Sequence, residues 1–116
     1  MRRRFLNTKI HQATVTKTDL EYEGSLTVDT HLLEAAGIEV NEQVEVYNIT
    51  RGSRFTTYAI PGEAGSGEVC VNGAAAHLAE KGDKIIVVTY CELEPEEIAT
   101  HHPKIILVDA DNRPRS

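Results

Sequence analysis

The chain has 116 residues, twelve Lys+Arg against eighteen Asp+Glu for a formal net charge of −6, and a hydrophobic fraction of 41%. A chain of that length closes one domain, 1–116, around a single core. The acidic balance excludes nucleic acid as an expected partner, and no stretch approaches the ~18 apolar residues of a membrane helix.

Met1-Arg2-Arg3-Arg4-Phe5 runs into polar residues rather than an apolar segment, so no secretory signal is expected and the expected compartment is the cytoplasm. The three arginines read as solvated or as members of a local ion pair. Phe5 to Val15 alternates loosely, as a half-buried strand does, and Ser25 to Val28 is a second short, β-branched strand. Asp29-Thr30 offers an N-cap to a helix of about two turns over residues 31–36, closed by Gly37. Val44–Ile49 and Phe55–Ile60 are strands joined through Thr50-Arg51-Gly52-Ser53 as a hairpin-like turn. Residues 61–67, with three glycines and a proline, form a loop, and Glu68–Val71 returns to strand. Asn72 to Leu78 reads as a turn entering one helical turn. Lys84–Tyr90 is the most apolar strand. Glu94-Pro95-Glu96-Glu97 starts a short helix, because proline and acids suit a first turn. Lys104–Val108 is a last strand, followed by a polar tail.

Cys70 alternates inside Glu68-Val69-Cys70-Val71 and is expected to be a buried thiol, with neither disulfide nor zinc site. His101-His102 beside Pro103 reads as a surface turn, so no metal is expected. Six or seven short strands with one or two brief helices predict a mainly β fold, a small closed barrel.

The stretch with chemical content is Tyr22-Glu23-Gly24-Ser25. A serine hydroxyl following glycine can attack the preceding carbonyl and convert the peptide bond to an ester. β-Elimination and hydrolysis then leave a pyruvoyl group at a new N-terminus. That ketone can form a Schiff base with a substrate amine and accept electrons as carbon dioxide leaves. Cleavage needs a strained backbone and an oxyanion donor, and glycine permits both the unusual dihedrals and the close approach. The dipeptide alone is uninformative, since Gly52-Ser53 and Gly65-Ser66 carry it too.

The surroundings decide. Lys9-Ile10-His11, Asp19-Leu20, Tyr22, Gly24-Ser25, Asn48, Gly52, Arg54, Thr57-Tyr58-Ala59, Val71 to Ala76, Gly82-Asp83 and Pro103 resemble the aspartate 1-decarboxylase family in order and spacing over nearly the whole chain. The resemblance implies a small double-psi β-barrel, a homotetramer and a precursor cut into 1–24 and 25–116. Its implied chemistry decarboxylates L-aspartate to β-alanine for pantothenate biosynthesis, with a pyruvoyl cofactor made from Ser25. Carried over by position, Ser25 becomes the pyruvoyl, Tyr58 is the proton donor, and Thr57 assists processing and meets the substrate. Gly73, Ala74 and Ala75 border the substrate, and Asn72 shapes the cleavage site. Lys9 and Arg54 are the carboxylate anchors. Strong pairing of the departing carboxylate would oppose its loss, so Arg54, a bidentate donor, is expected on the carboxylate that is retained. His11 reads as a structural hydrogen bonder. Tyr47 stands where the family often carries tryptophan, which bears on packing around the site.

Two other readings stay open at this level. An uncleaved barrel of the same type could serve as a binding module, and another pyruvoyl decarboxylase could act on a different amino acid. Two basic anchors favour a substrate with two carboxylates.

Overall fold

Ile10 lies between Lys9 and His11 and is wholly buried, whereas its two neighbours are half-buried. The same inside–outside rhythm, set by the two-residue period of a strand, organises most of the molecule. The computed structural model describes residues 1–115. Its strands are β1 (Arg3–Thr14), β2 (Lys17–Asp19), β3 (Ser25–Asp29), β4 (Gln43–Asn48), β5 (Arg54–Gly62), β6 (Val69–Asn72), β7 (Lys84–Leu93) and β8 (Lys104–Leu107). They form one ladder in the order β2-β6-β3-β5-β4-β7-β1-β8. The β1–β8, β2–β6 and β3–β5 pairs are parallel and the other four are antiparallel.

One core cluster gathers Ile10, Leu26, Val46, Ala59, Val71 and Val87 from six different strands, so the ladder wraps around a common interior. Each fully buried branched side chain there contributes roughly 1.5–3 kcal/mol of transfer free energy. The expected mainly β, small-barrel class is the class observed. It contains eight strands rather than six or seven, because β2 is three polar residues paired with β6 and carries no apolar alternation to read.

Three short helices close the gaps, one more than the sequence suggests. In α1 (Thr30–Ala36) the Asp29 carboxylate accepts from the His31 N–H, and Gly37 in the left-handed region donates back to Glu34. The face it buries is Leu32, Leu33 and Ala36. A 3₁₀ helix covers Gly73–Leu78, and α2 (Pro95–Ile98) begins at proline with Glu94 and Glu97 capping reciprocally. The β4–β5 hairpin forms as expected, with Asn48 N–H bonded to Ser53 O at 2.9 Å.

Under that hairpin, Asp83 accepts from Asn48 Nδ2 at 2.9 Å and from Arg51 Nε at 2.7 Å. Arg51 also pairs with Glu80. Arg51 is thus committed to the scaffold. Arg2 pairs with Glu94 at 3.2 Å, the local ion pair expected of the N-terminal cluster. No helix among the described residues is long and apolar enough to cross a membrane.

Candidate active site

The site is built where β3 and β6 run antiparallel, with Ser25 opposite Asn72 and Thr27 opposite Cys70. Ser25 opens β3 and is only 1% exposed, whereas Tyr22, Glu23 and Gly24 are exposed. The Asn72 Nδ2 donates to Ser25 Oγ and to Thr27 Oγ1, each at 2.9 Å. The Cys70 thiol donates to Asn72 Oδ1 at 3.1 Å, and the Ser25 hydroxyl donates to Glu23 O at 3.4 Å. Every hydrogen-bonding group of the Asn72 amide is therefore used, which fixes that side chain beside the Ser25 oxygen.

Gly24 has a φ outside the left-handed region, and a side-chain carbon there would meet nothing within 4 Å. The glycine whose freedom the site uses is Gly73. Its φ is +69°, and a Cβ on it would fall 2.6 Å from Gly24 Cα and 2.7 Å from Gly24 N. The 3₁₀ helix start can lie directly on the Gly24 backbone only because Gly73 carries no side chain.

β5 lies on the other side of β3, with Leu26 paired to Ala59. Thr57 and Tyr58 therefore come within a residue or two of Ser25 in register. As consecutive strand residues they face opposite ways: Thr57 shares the side of Phe55, which packs on the core, and Tyr58 is 38% exposed. Arg54 stands four residues before Tyr58, roughly 13 Å along the strand. Its guanidinium stacks 4.6 Å over the ring of Tyr47, its cross-strand partner. Tyr47 thus supplies an aromatic platform for the guanidinium. Its hydroxyl lies 2.9 Å from that of Tyr90, and this hydrogen bond, with burial, pushes the Tyr47 pKa up to about 12.

Lys9 lies on β1, separated from β5 by β7 and β4. Its alternation with buried Ile10 turns it to the same outer face as Arg54 and Tyr58. Three strand spacings, roughly 14 Å, still lie between the strands of Lys9 and Arg54. One chain therefore brings together Gly24, Ser25, Asn72 and Gly73, with Ala74 exposed and Ala75 half-buried just beyond. It leaves Lys9 and Arg54 apart from that cluster and from each other. A groove of about 710 Å³ on the outer face, lined by Glu45, Tyr47, Thr56 and Tyr90 among others, lies between them.

Thr27, Cys70 and Tyr90 were not singled out as site residues, although period-two alternation from Ser25 to Thr27 and from Asn72 to Cys70 is a readable signal. His11 Nδ1 is buried without a hydrogen-bond partner among the described residues, so this nitrogen does not do the structural bonding expected of it. His101 Nε2 donates to Leu6 O, 2.9 Å away. Among the described residues no group of three or more His, Cys, Asp or Glu is arranged to hold a metal.

Comparison with known proteins identifies the lineage. The family model described as aspartate decarboxylase matches residues 1–115. The chain is 56% identical over 113 residues to the aspartate 1-decarboxylase of Myxococcus xanthus, covering 97% of this chain and 87% of that one. It is 54% identical over 116 residues to the Syntrophobacter fumaroxidans aspartate 1-decarboxylase, covering 100% and 94%. The Neisseria meningitidis aspartate 1-decarboxylase is 55% identical over 115 residues, 99% and 91% of the two chains. The chain belongs to the aspartate decarboxylase family.

Proposed function

We propose that this chain is a self-processing, pyruvoyl-dependent aspartate 1-decarboxylase, making β-alanine and carbon dioxide from L-aspartate for pantothenate biosynthesis in the cytoplasm. The observation that carries the reading is the buried Ser25 Oγ, directly after Gly24, receiving the Asn72 amide at 2.9 Å.

In processing, Ser25 Oγ loses its proton and attacks the Gly24 carbonyl carbon. The Ser25 nitrogen is released as an amine as the ester forms. Elimination frees the Gly24 carboxylate, and one water then replaces the nitrogen of residue 25, which leaves as ammonia. The products are 1–24 and a pyruvoyl-headed 25–116. Asn72 stabilises charge building on Oγ, and Gly73 holds the Gly24 backbone from the other side. The surroundings of residue 25 fit a ketone: the position is shielded from bulk water, and the Asn72 amide donor lies beside it once Oγ has left with the Gly24 carboxylate.

Once formed, the pyruvoyl supplies an electrophilic ketone that holds the substrate amine and takes up electrons as carbon dioxide leaves. Tyr58 returns a proton from its phenol hydroxyl to the carbon that loses carbon dioxide. Arg54 grips the carboxylate that stays, and its stacking on Tyr47 fixes the plane of the fork before substrate arrives. Thr57 assists processing, Lys9 adds positive charge, and Gly73, Ala74 and Ala75 border the substrate with backbone groups.

Within one chain the anchors stand on strands roughly 14 Å apart, and both lie away from the Ser25–Asn72 cluster. This separation, with Tyr58 and Tyr90 exposed at 38% and 42% on the same face, supports a homotetramer whose sites lie at subunit contacts.

Intact-mass spectrometry of purified protein tests the reading. Two species, 1–24 and 25–116 with a keto-acyl terminus, are expected, and Ser25→Ala leaves one full-length chain. A wild-type protein that stays whole after prolonged warming would sink it in favour of an uncleaved binding barrel. Release of 4-aminobutyrate from glutamate in preference to β-alanine from aspartate would overturn the substrate assignment.

A further inference from the structure

The Asn72 amide can be seated in two senses. Turned over, it would offer a carbonyl oxygen to Ser25 and Thr27, and both hydroxyls could donate to it. The amide and the two hydroxyls alone therefore do not choose.

Two neighbours do. The Ser25 proton is directed to Glu23 O at 3.4 Å, which leaves lone pairs on Oγ free to accept. On the far side of the amide, the Cys70 thiol donates to Oδ1 at 3.1 Å. In the turned-over sense Nδ2 would face sulfur, a weak acceptor, and the thiol would lose its acceptor. Cys70 is 3% exposed and lies on the same side of β6 as Asn72, opposite the core-facing Val69 and Val71, at the edge of a groove of about 310 Å³ that Tyr22 and Thr27 also line. Burial pushes the thiol pKa up and the Glu68 charge adds to the effect, which keeps sulfur in its protonated, donating form at neutral pH.

We propose that Cys70 is a positioning residue for self-processing: by donating to Asn72 Oδ1 it holds the amide with Nδ2 on Ser25 Oγ. Charge developing on Oγ as its proton leaves then meets a donor rather than a carbonyl lone pair. A thiol that only filled space would be replaceable by any apolar group of its size. The inference rests on the reading of Gly24-Ser25 as the scissile bond.

The test follows conversion of full-length protein into the 1–24 and 25–116 chains by intact mass, alongside thermal denaturation. Cys70→Ser retains a donor and is expected to process within about threefold of wild type. Cys70→Ala and Cys70→Val lack one and are expected to slow processing roughly tenfold, the factor an ordinary hydrogen bond is worth. Valine is included because it fills the space, so slow processing at an unchanged melting temperature isolates the lost donor. Wild-type rates in both Cys70→Ala and Cys70→Val would overturn the assignment. So would a Cys70→Ser variant as slow as Cys70→Ala, which would mark sulfur's packing as the requirement. A wild-type chain that never cleaves would remove the scissile-bond reading and this inference together, and is told apart by the absence of products in every sample.

Discussion

Replacing Gly73 with alanine separates the two ways in which that residue serves the site. Its φ of +69° costs an L-residue roughly 1–2 kcal/mol. The added Cβ would lie 2.6 Å from Gly24 Cα, 2.7 Å from Gly24 N and 3.1 Å from Tyr22 O, all backbone atoms that cannot rotate away. Forced shifts of this kind cost about 1–3 kcal/mol more, so the total is about 2–5 kcal/mol. At about 4 °C per kcal/mol for a chain of this size, the melting temperature falls by roughly 8–20 °C. Residues 22–24 are exposed and can yield, in which case the packing cost shrinks but Gly24 moves away from its place before Ser25. Stability or processing must therefore suffer. Thermal melts are made in the Ser25→Ala background, where cleavage cannot intervene, and processing of the single variant is followed by intact mass. A Gly73→Ala chain that melts within about 2 °C of its parent and cleaves at the wild-type rate would refute the reasoning.

Arg54→Ala removes a charge-assisted fork worth about 1.5–3 kcal/mol, so KM for aspartate is expected to rise roughly 10- to 100-fold with the cleavage rate unchanged. Alanine binding should weaken far less, and equal weakening of the two would show that Arg54 does not hold the retained carboxylate. The acid limb of stability should come from Asp29 and Asp83. Burial opposes ionisation at Asp29, but N–H groups of Gly67, Gly65 and His31 outweigh it. At Asp83 burial is likewise outweighed by Asn48, the Glu80 N–H and Arg51, so both carboxyls sit below their ordinary pKa. A folded pKa below the unfolded value contributes stability that is complete above the unfolded pKa and is lost as pH falls through the folded one. Melting temperature should then be insensitive to these two groups above pH ~5 and fall below pH ~4. Asp83→Asn should flatten that fall, and an unchanged acid slope would exclude Asp83 as its source.

How much could be read in advance follows from how local each signal is. The α1 boundaries were legible because Asp29 and Gly37 cap through contacts within a few residues of themselves. The β4–β5 hairpin was legible because turn and alternation lie in one continuous stretch. β2 was not, since Lys17-Thr18-Asp19 is a strand only through its partner Cys70-Val71-Asn72, some fifty residues away. Burial of Cys70 was evident from its alternation, but its contact with Asn72 was not, because it requires the pairing of β6 with β3 as well. Likewise the stacking of Arg54 on Tyr47 and the link from Tyr47 to Tyr90 depend on which strands lie side by side. Residue types announce candidate chemistry, and long-range register decides which of them meet.

The three Gly-Ser pairs illustrate the point. Gly52 and Gly65 adopt φ of +79° and +81°, the conformations for which glycine is usually credited, and each begins an ordinary turn. Ser53 Oγ donates to Leu78 O at 2.7 Å and Ser66 Oγ to Glu63 O at 2.6 Å, so both protons are held in good hydrogen bonds. Ser25 differs on each count. Gly24 carries no positive φ, the Ser25 proton has only a 3.4 Å contact, and its oxygen receives an oriented amide in a position closed to water. A nucleophilic hydroxyl needs a proton that leaves readily and a donor waiting for the charge, and neither follows from an unusual glycine at the attacked carbonyl. The glycine that matters for close approach is Gly73, delivered by a different strand. Reactivity at Gly24-Ser25 is thus expected to be far more sensitive to substitution at residues 72 and 73 than any reading confined to residues 22–25 would suggest.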